Sequence, residues 1–112
     1  MRVNLITILT FSLLVFGCRK EKNDIAVSEC IQSEIKKFST NTCEKGATVK
    51  QYFFQGQIVY TFSMGSCGGD LPTFVKDETC NHLGFLGGIT GNTKINGEEF
   101  SKAEFKRTVW AN

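Results

Sequence analysis

Five cysteines in a chain of only 112 residues constrain the fold more than any other feature of this sequence. Disulfides use cysteines in pairs, so an odd number leaves one cysteine for a separate role. The composition, with 41% hydrophobic residues, 21% charged residues and one proline, is typical of a single small domain. The net charge of +2 is too balanced to indicate nucleic acid as a partner. The cysteines are therefore expected to divide into disulfides and one unpaired residue.

The N-terminal segment has the pattern of a secretory signal peptide. Arg2 precedes an apolar run of twelve residues from Leu5 to Phe16, which is interrupted only by hydroxyl residues. A helix needs roughly 20 residues to cross a bilayer core of about 30 Å, so this run is too short to span a membrane. Its length matches the apolar region of a signal peptide. The alternative is a buried core helix, which the apolar character of the segment on all sides disfavours.

The end of this segment accounts for the unpaired cysteine. Val15-Phe16-Gly17-Cys18 resembles the bacterial lipobox, in which a small residue precedes the cysteine that becomes the mature N-terminus. The resemblance implies that residues 1–17 are removed and that Cys18 receives acyl chains. Each buried methylene contributes about 0.8 kcal/mol, so two or three chains anchor a protein stably. We therefore expect a lipoprotein of the bacterial cell envelope, anchored through Cys18 on the periplasmic or surface face of the outer membrane.

The rest of the chain divides into a tether and one domain. Residues 18–24 are almost entirely polar and predict a short solvated tether. Residues 25–112 contain nine basic and nine acidic residues, so the expected domain is formally neutral. We expect this domain to have an α+β fold, in which one N-terminal helix packs on a small antiparallel sheet braced by disulfides.

Four cysteines remain in that domain, and an exported protein meets an oxidising environment in which they form disulfides. Twelve residues separate Cys30 from Cys43, and twelve separate Cys67 from Cys80. Four cysteines allow three pairings, and we predict the local one, Cys30–Cys43 and Cys67–Cys80. A structural zinc site is disfavoured because the chain lacks a CxxC pair and His82 is its only histidine. No metal or other cofactor is expected.

An amphipathic helix is predicted from Ile25 to Phe38. Ile31 and Ile35 recur at helical spacing, and charged residues occupy the opposite face. Asp24 is the predicted N-cap, and the residues 39–41 are predicted to end the helix.

A β-hairpin is predicted to follow, beginning at Ala47 and turning at Gln55-Gly56. In this register one face carries the expected core residues, with Gln51 as the polar exception: Val49, Phe53, Ile58, Tyr60 and Phe62. The opposite face carries a second set: Lys50, Tyr52, Phe54, Val59 and Thr61. The aromatic residues of this second face, Tyr52 and Phe54, are a candidate binding surface, and the alternative is that another layer of core covers them.

The second half of the chain is rich in glycine. We predict a strand from Leu83 to Thr90 with a bulge at Gly87-Gly88. Asn96-Gly97 predicts a turn, 98–103 a helical turn, and 105–110 a final strand.

Two further hypotheses concern function. The segment from Gly68 to Thr79 contains Leu71 and Pro72, and a Cys67–Cys80 bridge would close it into a loop of the kind that some protease inhibitors display. A braced loop without function is the simpler interpretation.

The second hypothesis is a small envelope hydrolase. It would use His82 as a general base together with a nearby acid, Asp77 or Glu78. No known motif connects these residues to a nucleophile.

From Cys30 onward the chain resembles a family of small Bacteroidetes lipoproteins defined only as a domain of unknown function. The resemblance rests on the residues 59–62 (VYTF) before Cys67, then Cys80, then the residues 87–91 (GGITG). It implies a secreted, lipid-anchored domain and assigns no activity. The leading hypothesis is a non-enzymatic module that binds or inhibits an unknown protein or ligand of the envelope.

Overall fold

The structure is a computed structural model that describes residues 27–112. Its elements, in chain order, are the helix α1 (Glu29–Phe38), the strands β1 (Thr48–Phe54), β2 (Gln57–Ser63), β3 (Pro72–Asp77), β4 (His82–Gly87), β5 (Lys94–Ile95) and β6 (Glu98–Glu99), a 3₁₀ turn (Phe100–Lys102), and β7 (Glu104–Ala111). Within this range no helix combines the length and apolarity needed to cross a bilayer. The predicted signal peptide, Cys18 and the tether lie outside the described residues.

Five strands form one antiparallel sheet in the order β4-β3-β2-β1-β7. The helix α1 packs on one face of the sheet, and the β5–β6 hairpin with the 3₁₀ turn packs on the other. The predicted α+β class is therefore confirmed, and the second face of the sheet is covered as well.

The helix α1 begins at Glu29 instead of Ile25, because Ser28 caps it. The Ser28 hydroxyl accepts a hydrogen bond of 3.2 Å from the backbone N–H of Ile31. The same hydroxyl donates to the carbonyl oxygen of Glu78 at 2.8 Å, which fixes this end of the helix to the β3–β4 turn. The helix ends at Phe38, as predicted. The predicted cap Asp24 lies outside the described residues.

The predicted hairpin register is confirmed along β1 and β2. Phe54 pairs with Gln57 and Val49 pairs with Phe62. Both turn residues have positive φ, 52° at Gln55 and 79° at Gly56, as the preferred two-residue hairpin turn requires.

The core on the helix side contains most of the expected residues. Ile31 of α1 is fully buried against Val49, Tyr60 and Phe62 of the hairpin. Phe53 is 42% exposed, so its assignment to the core was wrong. This residue lies next to the hairpin turn, outside the group that packs against α1.

The opposite face of the sheet is a second core. Phe54 is 2% exposed, and Val59 and Val75 are fully buried beside it. Ile95 of β5 covers this group and is itself 1% exposed. The sheet is therefore buried on both faces in this region.

The structure corrects the predicted disulfide pairing. Cys30 is bonded to Cys80, with 6.0 Å between their Cα atoms, and Cys43 is bonded to Cys67, with 5.4 Å between theirs. The antiparallel pairing of β1 with β2 brings the segment before β1 beside the segment after β2, where the Cys43 N–H donates to the carbonyl oxygen of Met64 at 3.0 Å. Chain topology, not sequence proximity, therefore selects the partners.

The glycine-rich second half departs from prediction in its strands, since the residues 72–77, expected within a loop, form β3. The strand β4 covers His82–Gly87, and the residues 88–91 form a turn in place of the predicted bulge. The register irregularity of this strand pair lies instead between Val75 and Lys76. The predicted turn at Asn96-Gly97 and the final strand are present, whereas the predicted helical turn is shorter than expected, because Glu98–Glu99 form β6 and only Phe100–Lys102 are helical.

Candidate ligand-binding groove

A groove of about 410 Å³ lies between α1 and the strands β2, β3 and β4. We call it the α1 groove. Its lining residues come from the helix, from the segments that follow α1 and β2, and from the sheet: Glu34, Lys37, Phe38, Asn41, Phe62, Met64, Phe74, Lys76 and His82.

The floor of the α1 groove is aromatic. The rings of Phe38 and Phe62 meet edge to face, with 5.3 Å between centroids. Phe38 also packs edge to face on Trp110 at 6.0 Å, and Met64 and Phe74 complete the apolar lining. A ligand with an apolar body would find a preformed surface here.

The rim of the groove is charged. The Nζ atom of Lys76 lies 2.6 Å from one carboxylate oxygen of Glu34, and the Nζ atom of Lys37 lies 3.8 Å from the other. The hydrogen bond from Lys76 lowers the pKa of Glu34, and the positive charges of both lysines act in the same direction against the effect of burial. Two ammonium groups therefore share one carboxylate, which leaves the rim with a net positive charge.

His82 reaches the groove, but the acids proposed to act with it do not join it. Its side chain is exposed, and its ring lies 5.8 Å from that of Phe74. Among the residues that the structure describes, no hydrogen bond connects His82 to Asp77 or Glu78. Neither of these two acids therefore orients the imidazole.

Asp77 organises the β3–β4 turn. Its Oδ1 atom accepts hydrogen bonds from the Thr79 N–H, the Thr79 hydroxyl and the Asn81 N–H at 2.9 to 3.0 Å. Its Oδ2 atom accepts one from the Asn81 side-chain amide at 3.1 Å. Burial raises the pKa of Asp77, but the hydrogen bonds from Asn81 and Thr79 outweigh this effect and lower the pKa overall.

The predicted aromatic binding surface is only partly available. Phe54 is buried, because Ile95 and the ring of Phe100, at 4.9 Å, cover it. Its assignment to a binding surface is therefore wrong. Tyr52 remains half-buried between Phe100 at 5.0 Å and Phe105 at 5.5 Å, and burial raises its pKa.

The predicted inhibitor loop is also corrected. Cys67 and Cys80 are not bonded to each other, and Pro72 begins the strand β3, which pairs with β2 on one side and β4 on the other. Leu71, which precedes the strand, remains 38% exposed. With Tyr52 it lines a separate cleft on the sheet face opposite α1.

Sequence reasoning missed the groove because it treated the residues of β3 as a loop. Phe74 and Val75 are adjacent apolar residues that pack on opposite faces of the sheet, so 72–77 lacks the strict apolar–polar alternation of a half-buried strand. A short apolar pair between the glycines 68–69 and Asp77 was the only local sign of this strand.

Comparison with known proteins identifies a family but no activity. A family model described as a domain of unknown function (DUF6970) matches residues 36–112, which include all seven strands. No curated protein and no solved structure shows significant similarity to the chain. The match contains Cys43, Cys67 and Cys80, whereas Cys30, the partner of Cys80, lies before it.

Proposed function

We propose that this chain, which belongs to the DUF6970 family, is a lipid-anchored, non-enzymatic protein of the bacterial envelope that binds a small apolar ligand with an acidic group. The observation that carries the proposal is the α1 groove, in which an aromatic floor lies beneath a positively charged rim. The resemblance to small Bacteroidetes lipoproteins supports the location.

The apolar part of the ligand follows from the floor. Small-molecule sites are concave, mostly apolar spaces of about 300–1,000 Å³ with a few polar groups that fix orientation. The α1 groove, at about 410 Å³ and lined by Phe38, Phe62, Met64 and Phe74, has this composition. Removing apolar surface from water supplies about 25 cal/mol per Å², so the floor favours a hydrocarbon or aromatic body.

The acidic part follows from the rim. Glu34 neutralises only one of the two ammonium groups of Lys37 and Lys76. A carboxylate at the mouth of the groove would balance the remaining charge, whereas a cationic ligand would be repelled. An apolar monocarboxylate therefore fits both surfaces.

The membrane anchor is proposed from the lipobox resemblance and is tested by mass. The intact native protein, extracted with detergent, should begin at Cys18, carry acyl chains, and lack four hydrogens because of its two disulfides. A Cys18→Ser variant produced without residues 1–17 should appear in the soluble fraction, whereas the native protein should remain with the membrane. A native protein without acylation would contradict the anchor.

Ligand binding is tested at Met64, the only methionine after Met1. With the methionine methyl groups labelled with ¹³C, the Cys18→Ser chain is titrated with decanoate, decanol and decylamine below their micellar concentrations. Because Met64 lines the groove, its methyl signal should shift and saturate, first with decanoate, later with decanol and last with decylamine. An unshifted Met64 signal would contradict binding in the groove.

Two lysines provide a matched pair of variants. The Lys37 side chain is 74% exposed and lines the groove, whereas Lys36 is exposed on another face of the helix. Lys37→Glu should weaken decanoate binding about threefold or more and leave decanol binding unchanged, as expected for an exposed charge. Lys36→Glu should alter neither. Equal effects of the two variants would remove the argument for an acidic group.

The alternative function is a small hydrolase that uses His82. In its favour, His82 lines the same groove as the proposed ligand. Against it, both carboxylate oxygens of Asp77 are already engaged in the β3–β4 turn. Hydrolysis of p-nitrophenyl esters that disappears in a His82→Ala variant would favour the enzyme over the binding module.

A further inference from the structure

A second concave surface lies on the sheet face opposite α1. The β5–β6 hairpin and the 3₁₀ turn cover only part of this face, and beside them the sheet forms a cleft of about 390 Å³. An adjoining space of about 440 Å³ shares three of its lining residues, Tyr52, Leu86 and Phe100. We call the first space the hydroxyl cleft, after the residues of its floor.

Three hydroxyl groups lie in a row across the floor. Thr48 of β1 is directly opposite Ser63 of β2, and Ser63 is directly opposite Thr73 of β3. Directly opposed side chains in neighbouring strands have Cβ atoms about 5 Å apart, so the row is about 10 Å long. In the next row of the same face, Lys50 lies opposite Thr61. All five residues line the hydroxyl cleft.

Thr61 is the informative member of this group. Its side chain is polar, yet the residue is only 5% exposed and lines the cleft. Across residues 27–112, no hydrogen bond engages its hydroxyl. Buried polar groups in proteins nearly always have a partner, from the protein, from ordered water or from a ligand. The Thr61 hydroxyl therefore requires a partner within the cleft, which is either ordered water or a ligand with hydrogen-bonding groups.

The walls of the cleft are apolar and one of its ends is cationic. Tyr52 and Phe100 meet at 5.0 Å on one side, and Leu71 and Leu86 lie on the other. The Nζ atom of Lys50 lies 6.0 Å from the centre of the Phe105 ring. Lys50 forms no ion pair with any other residue in the described part of the chain, so its charge is available to a ligand.

We propose that the hydroxyl cleft binds an acidic saccharide, a sugar chain that carries carboxylates. Sugar hydroxyls both donate and accept hydrogen bonds, which matches the hydroxyls of Thr48, Thr61, Ser63 and Thr73. The apolar faces of sugar rings match the aromatic wall, and a carboxylate matches the ammonium group of Lys50. This site lies on the opposite face of the sheet from the α1 groove, so it stands independently of the function proposed for that groove.

The test uses the Cys18→Ser chain and isothermal titration with two trisaccharides, trigalacturonate and maltotriose. Trigalacturonate is expected to bind about fivefold or more tightly than maltotriose, a ratio typical of one partly exposed charge. Lys50→Gln should abolish the difference. Lys94→Gln, which alters an exposed lysine outside the cleft, should leave it intact.

The hydroxyl contribution is tested by removing single oxygen atoms. Thr61→Val should bind trigalacturonate about fivefold more weakly, as expected for one lost hydrogen bond, while its urea midpoint is at least as high as that of the parent. Ser63→Ala, at a half-buried position, should also weaken binding and serves if Thr61→Val fails to fold. Thr90→Val, at an exposed site outside the cleft, is the control.

Three outcomes would overturn the proposal. The first is that neither trisaccharide binds at about 10 mM, a concentration that would detect even weak sites. The second is that maltotriose binds as tightly as trigalacturonate. The third is unchanged affinity in the folded Ser63→Ala and Thr61→Val variants, which would mean that water alone occupies the floor.

Discussion

The side-chain amide of Gln51 donates a hydrogen bond of 3.0 Å to the phenol oxygen of Tyr60, and both side chains are fully buried. Arg107, from the neighbouring strand β7, donates to the amide oxygen of Gln51 at 3.2 Å. The amide N–H and the amide oxygen of Gln51, the polar residue on the core face of the hairpin, therefore both have a hydrogen-bond partner. A buried amide is tolerated in this core because the strands on either side supply those partners.

Removing one atom from this pair should destabilise the fold. In Tyr60→Phe, the buried Gln51 amide loses its acceptor, and the free energy of unfolding should fall by about 1–2 kcal/mol, as measured by urea denaturation. Tyr52→Phe is the matched control, since no hydrogen bond of the Tyr52 hydroxyl occurs among the described residues, and it should change stability by less than about 0.5 kcal/mol. Equal losses in both variants would contradict this account.

The two tyrosines also predict a loss of stability in alkali. Burial raises the pKa of Tyr60 and of Tyr52 above their ordinary value of about 10. The folded chain therefore holds the phenol protons more tightly than the unfolded chain. The protonated phenols therefore add to the free energy of unfolding. This stabilisation is fully present below about pH 10 and is lost as the pH rises through the higher pKa of the folded state.

Spectrophotometric titration of the phenolates, together with urea denaturation at several pH values, measures this effect. The double variant Tyr52→Phe with Tyr60→Phe should show a smaller decline in stability above pH 10 than the parent. A parent protein whose tyrosines ionise at the same pH when folded and when unfolded would contradict it.

The lowered pKa of Asp77 predicts a loss of stability in acid. Its pKa is lowered in the folded state, so its contribution is present above the unfolded value of about 4 and is lost as the pH falls through the lower folded value. Asp77→Ala should reduce the free energy of unfolding at neutral pH by about 1–3 kcal/mol, because four donors of the turn lose their acceptor. It should also reduce the slope of stability against pH below about pH 4.

Asp70 provides the control for this experiment. It is exposed in the segment before β3, and no hydrogen bond of its carboxylate occurs among the described residues. Asp70→Ala should therefore change stability by less than about 0.5 kcal/mol. If Asp77→Ala behaved in the same way, the turn would not depend on the carboxylate.

The disulfide pairing can be verified by digestion without reduction. We expect one linked peptide pair that contains Cys30 and Cys80 and another that contains Cys43 and Cys67. Recovery of Cys30 linked to Cys43 would contradict the structure.

The two bridges should also differ in their contribution to stability. Sequence separations of 50 and 24 residues correspond, in the loop-entropy description, to about 4 and about 3.5 kcal/mol respectively. Replacing Cys30 and Cys80 together by serine should therefore cost slightly more than replacing Cys43 and Cys67 together, as measured by urea denaturation.

The local features of the fold could be read from the sequence, and the non-local ones could not. The hairpin register follows from the alternation around Gln55-Gly56, because the turn and the strands are neighbours in the chain. The partner of Cys30 depends on where the β3–β4 turn arrives in three dimensions, which no spacing rule encodes. The burial of Phe54 likewise depends on Ile95, a residue of a two-residue strand that lies 41 positions further along the chain.

The candidate sites show the same difference between local features, which the sequence predicts, and non-local ones, which it does not. Tyr52 was identified from the alternation of the hairpin and does line the hydroxyl cleft, whereas Leu71, which also lines it, was identified from a loop whose predicted disulfide is wrong. The α1 groove requires Phe38 from the helix, Phe62 from the hairpin and Phe74 from β3 to be brought together. The sequence lists these apolar residues, but only the order of the strands in the sheet places them around one groove.

Truncating Ile95, which covers the second core, should lower the stability of the fold. Ile95 is 1% exposed and packs against Phe54, Val59 and Val75, so Ile95→Ala removes buried methyl groups and leaves a cavity beneath β5. The free energy of unfolding should fall by about 2–4 kcal/mol in urea denaturation.

Ile89, which is 92% exposed in the turn after β4, offers the same substitution without burial. Ile89→Ala should change stability by less than about 0.5 kcal/mol. If the two variants were equally stable, the β5–β6 hairpin would not be packed on the sheet in solution, and the adjacent hydroxyl cleft would lose the wall formed by Phe100.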